Sequence, residues 1–262
     1  MNPTIKISIV TPSYNQGQFI EKTIVSVLNQ TYKNIEYILV DGGSTDNTME
    51  IVNRYRDKID IIISEKDNGQ SDAINKGFKL STGTLVGWIN SDDILYPDCV
   101  EKIVELYQNH PDGAIYYHSF NEMIDRDGKS IKIYQHIIPD RKYLLKTDCR
   151  VIQQGSFYNL DLVKKTGYMD AANHYCMDLD LWLSLLKEGP IYHTQDGPHA
   201  GFRIYTGTKT DTGKEKFLKN IYQVLRKHKA KIYYPTMWNE IYYIYLVIKV
   251  KKIIHFIKPK MR

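Results

Sequence analysis

Polar residues gather where apolar runs stop, and their types suit cations and phosphates. In "GWINSDD", Gly87 to Asp93, an apolar stretch ends in an amide, a hydroxyl and two adjacent carboxylates. Two neighbouring acids repel, so the pair calls for a positive partner. Asn90 offers an amide oxygen, and Asp92 and Asp93 offer hard carboxylate oxygens suited to Mg²⁺ or Mn²⁺. Mg²⁺ commonly takes one or two protein carboxylates and fills its shell with substrate phosphates, so two acids suffice. For this run alone, the alternative is a polar turn that caps a helix starting near Pro97. Similar groups end three other runs, "TPSYN" (11–15), "DGGSTD" (41–46) and "EKDNGQSD" (65–72). Four strand ends of one character are hard to ascribe to turns.

The segments before these ends are the elements that must position them. "IKISIVTPSYN" (5–15) starts as a β-branched strand and stops at Pro12, and "QFIEKTIVSVLNQ" (18–30) sets Ile20, Ile24, Val27 and Leu28 on one helical face. "IEYILVDGGSTDNT" (35–48) reads as a strand, a glycine pair and a helix start, and "IDIIISE" (59–65) as a third strand. "SDAINKGFKL" (71–80) has the pattern of a capped helix and "TLVGWIN" (84–90) that of a buried strand. Alternation of this kind predicts right-handed crossovers and a mainly parallel, Rossmann-like central sheet with helices on both faces. Ligands of such sheets sit beyond the carboxyl ends of the strands, where the polar runs lie. Beyond Asp93 the pattern predicts a helix at 98–109, a strand at 114–119, a hairpin at 125–128 and a strand at 151–159. An amphipathic helix is expected at 177–189, with Leu179, Trp182, Leu183 and Leu186 inward.

Composition narrows the class. The chain has 262 residues, 42% hydrophobic and 25% charged, enough to bury a large core. No GxGxxG follows the first strand and no GxxxxGK[ST] occurs, so a nucleotide would need another means of charge neutralisation, such as a metal ion. "TPSYNQGQ" has no Lys or Arg, which argues against a nucleotidyltransferase with a basic triphosphate loop. Cys99, Cys149 and Cys176 are widely spaced and read as reduced thiols, and the N-terminal run lacks the order of a signal peptide, so a cytoplasmic protein is expected. The net charge of +5 is uneven: from Arg226 onward there are ten Lys and Arg against one acid, Glu240. A mildly acidic body with a basic tail does not suit a nucleic-acid reader.

Together, "SIVTPSYNQGQFIEKTIVSVLNQTYKNIEYILVDGGSTDNT", "DNGQSDAINKGF" and "GWINSDD" resemble family-2 glycosyltransferases of the GT-A fold, particularly bacterial enzymes of surface-polysaccharide synthesis such as colanic-acid-type transferases. The likeness runs over about residues 5–205. It implies an α/β GT-A domain that transfers a hexosyl or N-acetylhexosaminyl group, with inversion, from a nucleoside-diphosphate sugar to a hydroxyl of a glycan or lipid-linked acceptor. It also implies Mn²⁺ or Mg²⁺. The resemblance places Thr11, Pro12, Tyr14 and Asn15 around the base, with Tyr14 packed on it, and Asp41 accepting from it. A UDP-sugar is the expected donor, with thymine and guanine open because Gly42 stands where a second acid is common. Gln70, Asp72 and Asn75 would cross the ribose and diphosphate, for which a capped surface helix is the alternative, and Asn90, Ser91 and Asp92 would meet the nucleotide-sugar.

Asp92 and Asp93 are the implied metal ligands, Asp92 the principal one because Asn90 replaces a common carboxylate. Arg203 of "FRIY" is the implied phosphate partner, and Tyr205 stands where a His is frequent. In "MDLDLW", Asp178 aligns with the acid taken as base and Asp180 is the second candidate, against the alternative of helix-start acids favoured by the dipole. Gln153 and Gln154 would shape the acceptor side. A binding module without turnover is the non-enzymatic rival. One domain over 1–225 is expected, its nucleotide-sugar half at about 1–95 and its acceptor half at about 96–225, followed by a basic, aromatic helical tail at 226–262. That tail has no run long enough to span a bilayer. It suits either the inner face of an anionic membrane or a helix packed on the domain with a solvated basic edge.

Overall fold

A computed structural model describes residues 5–209 and 213–239. The first half alternates as the pattern requires: β1 (Ile7–Ser13), α1 (Ile20–Leu28), β2 (Ile35–Asp41), α2 (Thr48–Asn53), β3 (Ile61–Ser64), α3 (Gln70–Leu80) and β4 (Leu85–Trp88). Then follow β5 (Ile94–Leu95), α4 (Cys99–Asn109), β6 (Ile115–Ile124), β7 (Ser130–Gln135), α5 (Arg141–Lys146), β8 (Phe157–Asn159), α6 (Leu160–Lys165), α7 (Met177–Leu185), β9 (Ile191–Arg203) and α8 (Lys214–Lys227). All nine described strands join one sheet of order β3-β2-β1-β4-β8-β6-β9-β5, with β7 on β6.

The strands β3, β2, β1 and β4 are parallel neighbours, whereas β4–β8, β6–β8 and β5–β9 are antiparallel. The first half of the chain forms the parallel part of the sheet, and the mixed part is added to its β4 edge. Register sets Ser13, Asp41 and Ser64 side by side at the carboxyl ends. Residues alternate between two cores along β1: Ile7 and Ile9 pack towards α1, α2 and α4, and Val10 packs towards α3 and α7.

At the opposite, amino end, Glu36 of β2 accepts from Lys6 Nζ (2.8 Å), Ser8 Oγ (2.6 Å), Thr82 N (2.8 Å) and Thr82 Oγ1 (2.7 Å). Burial would raise this carboxyl, but the four donors outweigh it and hold it at about 2.

Three expectations need correction. The strand expected over 151–159 is only Phe157–Asn159, because Gly155 turns the chain at φ +72° and the residues before it enter the polar centre. Helix α7 is shorter than 177–189 and has no polar face: Met177, Leu179, Asp180, Leu181, Trp182, Leu183 and Leu185 are all buried. The compositional boundary at 225–226 falls inside α8, where Val224 and Leu225 are buried. Of the tail, 240–262 lie outside the described residues. No described helix is long and apolar enough to cross a membrane.

Candidate active site

The loops after β1, β2, β3 and β4 converge. Asp41, fully buried, accepts from Gly43 N (3.1 Å), Ser44 N (3.0 Å), Ser64 Oγ (2.9 Å) and Ser44 Oγ. Its carboxylate organises the β2 loop, and its acceptor sites are spent there, which differs from the open acceptor expected for a base. Asn15, in the left-handed region at φ 52°, clips the same loop: its N–H donates to Ser44 Oγ (2.8 Å) and its Oδ1 accepts from Thr45 N (2.8 Å). Thr11 and Pro12 are buried, Thr11 Oγ1 accepting from Tyr37 OH (3.1 Å), while Tyr14 is 60% exposed at the rim.

Gly42 has a steric reason. A Cβ there would lie 2.5 Å from Asp67 Oδ2, so the absent acid leaves room for a carboxylate arriving from the β3 loop. Asp67 Oδ1 accepts from Gly69 N (2.8 Å), and Gly69 at φ +109° and ψ 176° adopts a shape open essentially to glycine as the chain enters α3.

An amide network occupies the centre. Asn90 Oδ1 accepts from Gln70 Nε2 (2.8 Å), and Asn90 Nδ2 donates to Asp93 Oδ2 (3.1 Å) and Gln153 Oε1 (3.3 Å). This accounts for Asn at 90: a carboxylate there could not donate to Asp93. Gln153 Nε2 also holds Trp88 O (2.7 Å), and Gln154 Nε2 donates to Asp93 Oδ2 (3.0 Å). Both glutamines therefore brace the β4 end. Ser91 is buried beside them.

Five expected site residues are engaged elsewhere. Asp93 is 1% exposed, and Oδ1 takes Arg203 N (2.8 Å) while Oδ2 takes the two amides, so it fastens β9 to β4 instead of facing a cation. Arg203 gives Nε to Asp92 O (2.6 Å) and Nη1 to Asp125 O and Arg126 O (2.8 Å each), with its guanidinium 5.0 Å from the Phe19 ring. It clamps loops, and only the buried Nη2 lacks a partner. Asn75 spends its amide on Met169, Nδ2 to O (2.8 Å) and Oδ1 from N (3.0 Å). Asp72 Oδ2 accepts from Asn68 N (3.0 Å), as a loop cap. Asp180 Oδ1 pairs with His228 Nε2 (2.6 Å) and Oδ2 with Lys227 Nζ (2.7 Å). Burial raises its carboxyl, but these two partners hold it below the usual range.

What stays at the site's edge is Asp92 and Asp178, with Gln70 linking Asn90 to Lys209. Asp92 Oδ2 accepts from Tyr205 OH (3.1 Å), and no other side chain among the described residues hydrogen-bonds this carboxylate. Burial raises the Asp92 carboxyl, with Tyr205 pulling the other way. Burial, then the Asp92 charge, pushes Asp93 up to about 8. Asp178, two residues from Asp180 and so on another side of α7, is also raised by burial, against the Leu179 N–H and the charge of Lys209.

Lys209 is the residue that sequence reasoning missed. Its Nζ donates to Gln70 Oε1 (3.1 Å), lies 5.3 Å from the Tyr175 ring centroid and faces Asp178 electrostatically. Its one sequence signal was a lone cation in a Gly- and Thr-rich loop just past Tyr205.

Among the described residues no three His, Cys, Asp or Glu side chains could hold a metal together. A half-buried carboxylate with one side-chain partner, as Asp92 has, fits a cation that takes most of its ligands from phosphates and water. The arrangement joins a cation-ready acid, a lysine and a raised-pKa carboxylate at the carboxyl end of one sheet.

Residues 8–162 match the family model described as Glycosyl transferase family 2. An uncharacterised glycosyltransferase of Rickettsia typhi is 32% identical over 195 residues, 71% of this chain and 60% of that protein, so the chain spans little more than half of that relative. The glycosyltransferase TuaG of Bacillus subtilis, named for teichuronic acid biosynthesis, is 27% identical over 241 residues, 90% of this chain and 94% of its own length. Among solved structures, S. aureus TarS 1–349 in complex with UDP-GlcNAc superposes with TM-score 0.68 at 17% identity, over 84% of this chain and 65% of that one. The mannosyltransferase PcManGT of Pyrobaculum calidifontis, in complex with GDP-Man and Mn²⁺, gives TM-score 0.63 at 15% identity, over 94% and 71%. At such identities the structures speak for the fold alone.

Proposed function

The chain belongs to glycosyl transferase family 2, and on that premise we propose that it moves a sugar, with inversion, from a nucleoside-diphosphate donor to a hydroxyl of a glycan or lipid-linked acceptor. The product is a surface polysaccharide, and UDP is the donor nucleotide. Support for the nucleotide comes from the UDP-GlcNAc that TarS binds, and support for the pathway from the name of TuaG. The single observation that carries the reading is the half-buried Asp92 carboxylate at the strand ends, held by one side chain only, Tyr205, among the described residues.

Asp92 would hold Mg²⁺ or Mn²⁺, which when bound supplies positive charge to the departing diphosphate. Lys209 adds a second positive charge on the same side, and Gln70 fixes its position. The exposed Tyr14 offers a ring for the base to stack on. Asp178 takes the proton from the acceptor hydroxyl. Burial raises its carboxyl, which strengthens it as a base, and the charge of Lys209 opposes that rise. Ground held by Asp93 and Arg203 is structural: they keep Asp92 at the end of β4. The N-terminal body acts as the transferase domain, with the basic tail beyond it.

The direct test supplies UDP-, dTDP- and GDP-sugars with Mn²⁺ and a polysaccharide or lipid-linked acceptor, and measures nucleoside diphosphate released. Release that needs both donor and acceptor supports transfer, whereas donor binding without release would identify a binding module. In Asp178→Asn, kcat is expected to fall by about 100-fold or more with donor Kd unchanged. Near-normal turnover there would remove Asp178 as the base.

A further inference from the structure

A cavity of about 600 Å³ lies between α5, the turn after α7 and the chain following α8, and it shares no residue with the Asp92 site. Arg141, Lys142, Lys187, Lys227, His228 and Lys229 line it, and no lining residue is an acid. Two of these groups are already spent: Lys227 Nζ on Asp180 (2.7 Å) and Asp170 (3.4 Å), and His228 Nε2 on Asp180 (2.6 Å).

The other four are not. Lys142, Lys187 and Lys229 make no side-chain ion pair or hydrogen bond among the described residues. Arg141 gives Nε to Leu183 O (2.9 Å) and Nη2 to His228 O (3.3 Å) and Nδ1 (3.4 Å), which fixes the plane of its guanidinium and leaves Nη1 without a partner among the described residues. Four cations around one hollow repel each other, and the acids nearby, Asp180 and Asp170, are spent on Lys227 and His228.

Lys229 adds an independent observation. It sits at φ +63° just past α8, in a turn closed by Ala230 N to Leu225 O (2.9 Å). Glycine occupies such a position without strain. A lysine there carries local strain where glycine would not, and it lines a cavity that three other cations line.

We propose that this cavity binds a phosphate or diphosphate group. Arg141 offers a fixed fork with a free N–H, and the three lysines match the several negative charges that distinguish a phosphate from a single carboxylate. Leu145 and Tyr234 form an apolar side against which the organic part of a phosphate ester can lie. The group comes from a lipid headgroup or from a soluble phosphate ester, and the two sources are separable.

The test uses the full chain and the variant Lys142→Gln/Lys187→Gln/Lys229→Gly. Isothermal titration with inorganic pyrophosphate, free of divalent cations and at fixed ionic strength, is expected to give an affinity at least about tenfold weaker in the variant. The variant's Tm should hold or rise, since Lys229→Gly relieves backbone strain and the lysines are exposed. Cosedimentation with phosphatidylcholine vesicles, with and without phosphatidic acid, runs in parallel. Retention that needs phosphatidic acid and is lost in the variant assigns a lipid headgroup. Pyrophosphate weakening without vesicle retention in either protein assigns a soluble ester. Equal pyrophosphate affinity together with equal vesicle retention in the two proteins overturns the proposal.

Discussion

Glu36 and Asp93 are buried carboxylates on neighbouring parts of one sheet, at its amino and carboxyl ends, and their surroundings drive them in opposite directions. Glu36 is held at about 2 and Asp93 is pushed up to about 8. Hydrogen-bond number does not separate them, since Glu36 has four donors and Asp93 three. Charge does. Among the donors to Glu36 is the Lys6 ammonium, whereas Asp93 has two amides, a backbone N–H and a second acid beside it. The amino end is thus electrostatically closed, and the carboxyl end has a negative charge left over, carried outward by Asp92.

The largest break in that contrast is expected from Asp92→Asn. It keeps the contact with Tyr205 but removes the charge, and metal-dependent turnover should fall by about 100- to 1,000-fold, the worth of several kcal/mol of charge stabilisation. Mn²⁺ should no longer raise Tm, a shift that wild type shows by calorimetry if the site takes the ion. Unchanged turnover would move the cation elsewhere.

Glu36→Gln should do the reverse, costing about 2 kcal/mol in urea unfolding with kcat intact, because it leaves buried donors mismatched. The sign with pH follows from the depressed folded value. The Glu36 contribution is full above the ordinary value of 4.5 and lost as pH falls through about 2. The wild-type advantage over the variant should therefore shrink on acidification across that window. An advantage that grows there would contradict the closed network.

The smallest effect sharpens the contrast. Lys6 is 41% exposed, so Lys6→Gln should cost no more than about 1 kcal/mol in the same titration. A larger loss would mean that solvent screens the exposed ammonium less than its exposure implies.

The alternation of strands and helices was legible through Asp93 because apolar period and glycine position act locally. The placing of Asp92 and Gln70 in the segments that leave β4 and β3 was legible for a similar reason. Asp93, Arg203, Asn75 and Asp180 show only their chemical type in the sequence. Whether such a group faces a ligand or the protein depends on partners as far away as Asp93 and Arg203, or Asp180 and His228. The glutamines at 153 and 154 looked like strand residues until Gly155 turned the chain. Lys209 reaches Gln70 from a loop 139 residues later, which no local pattern announces.

Helix α7 sends one acid, Asp178, towards the strand ends and anchors the other, Asp180, to the first two residues after Arg226. The onset of the basic tail is therefore part of the interior. A chain cut where its composition changes would strand a desolvated carboxylate, at a cost of about 3–5 kcal/mol, beneath the very helix that orients Asp178. A shortened enzyme would have to keep Lys227 and His228, or exchange Asp180 for a neutral side chain in the same step.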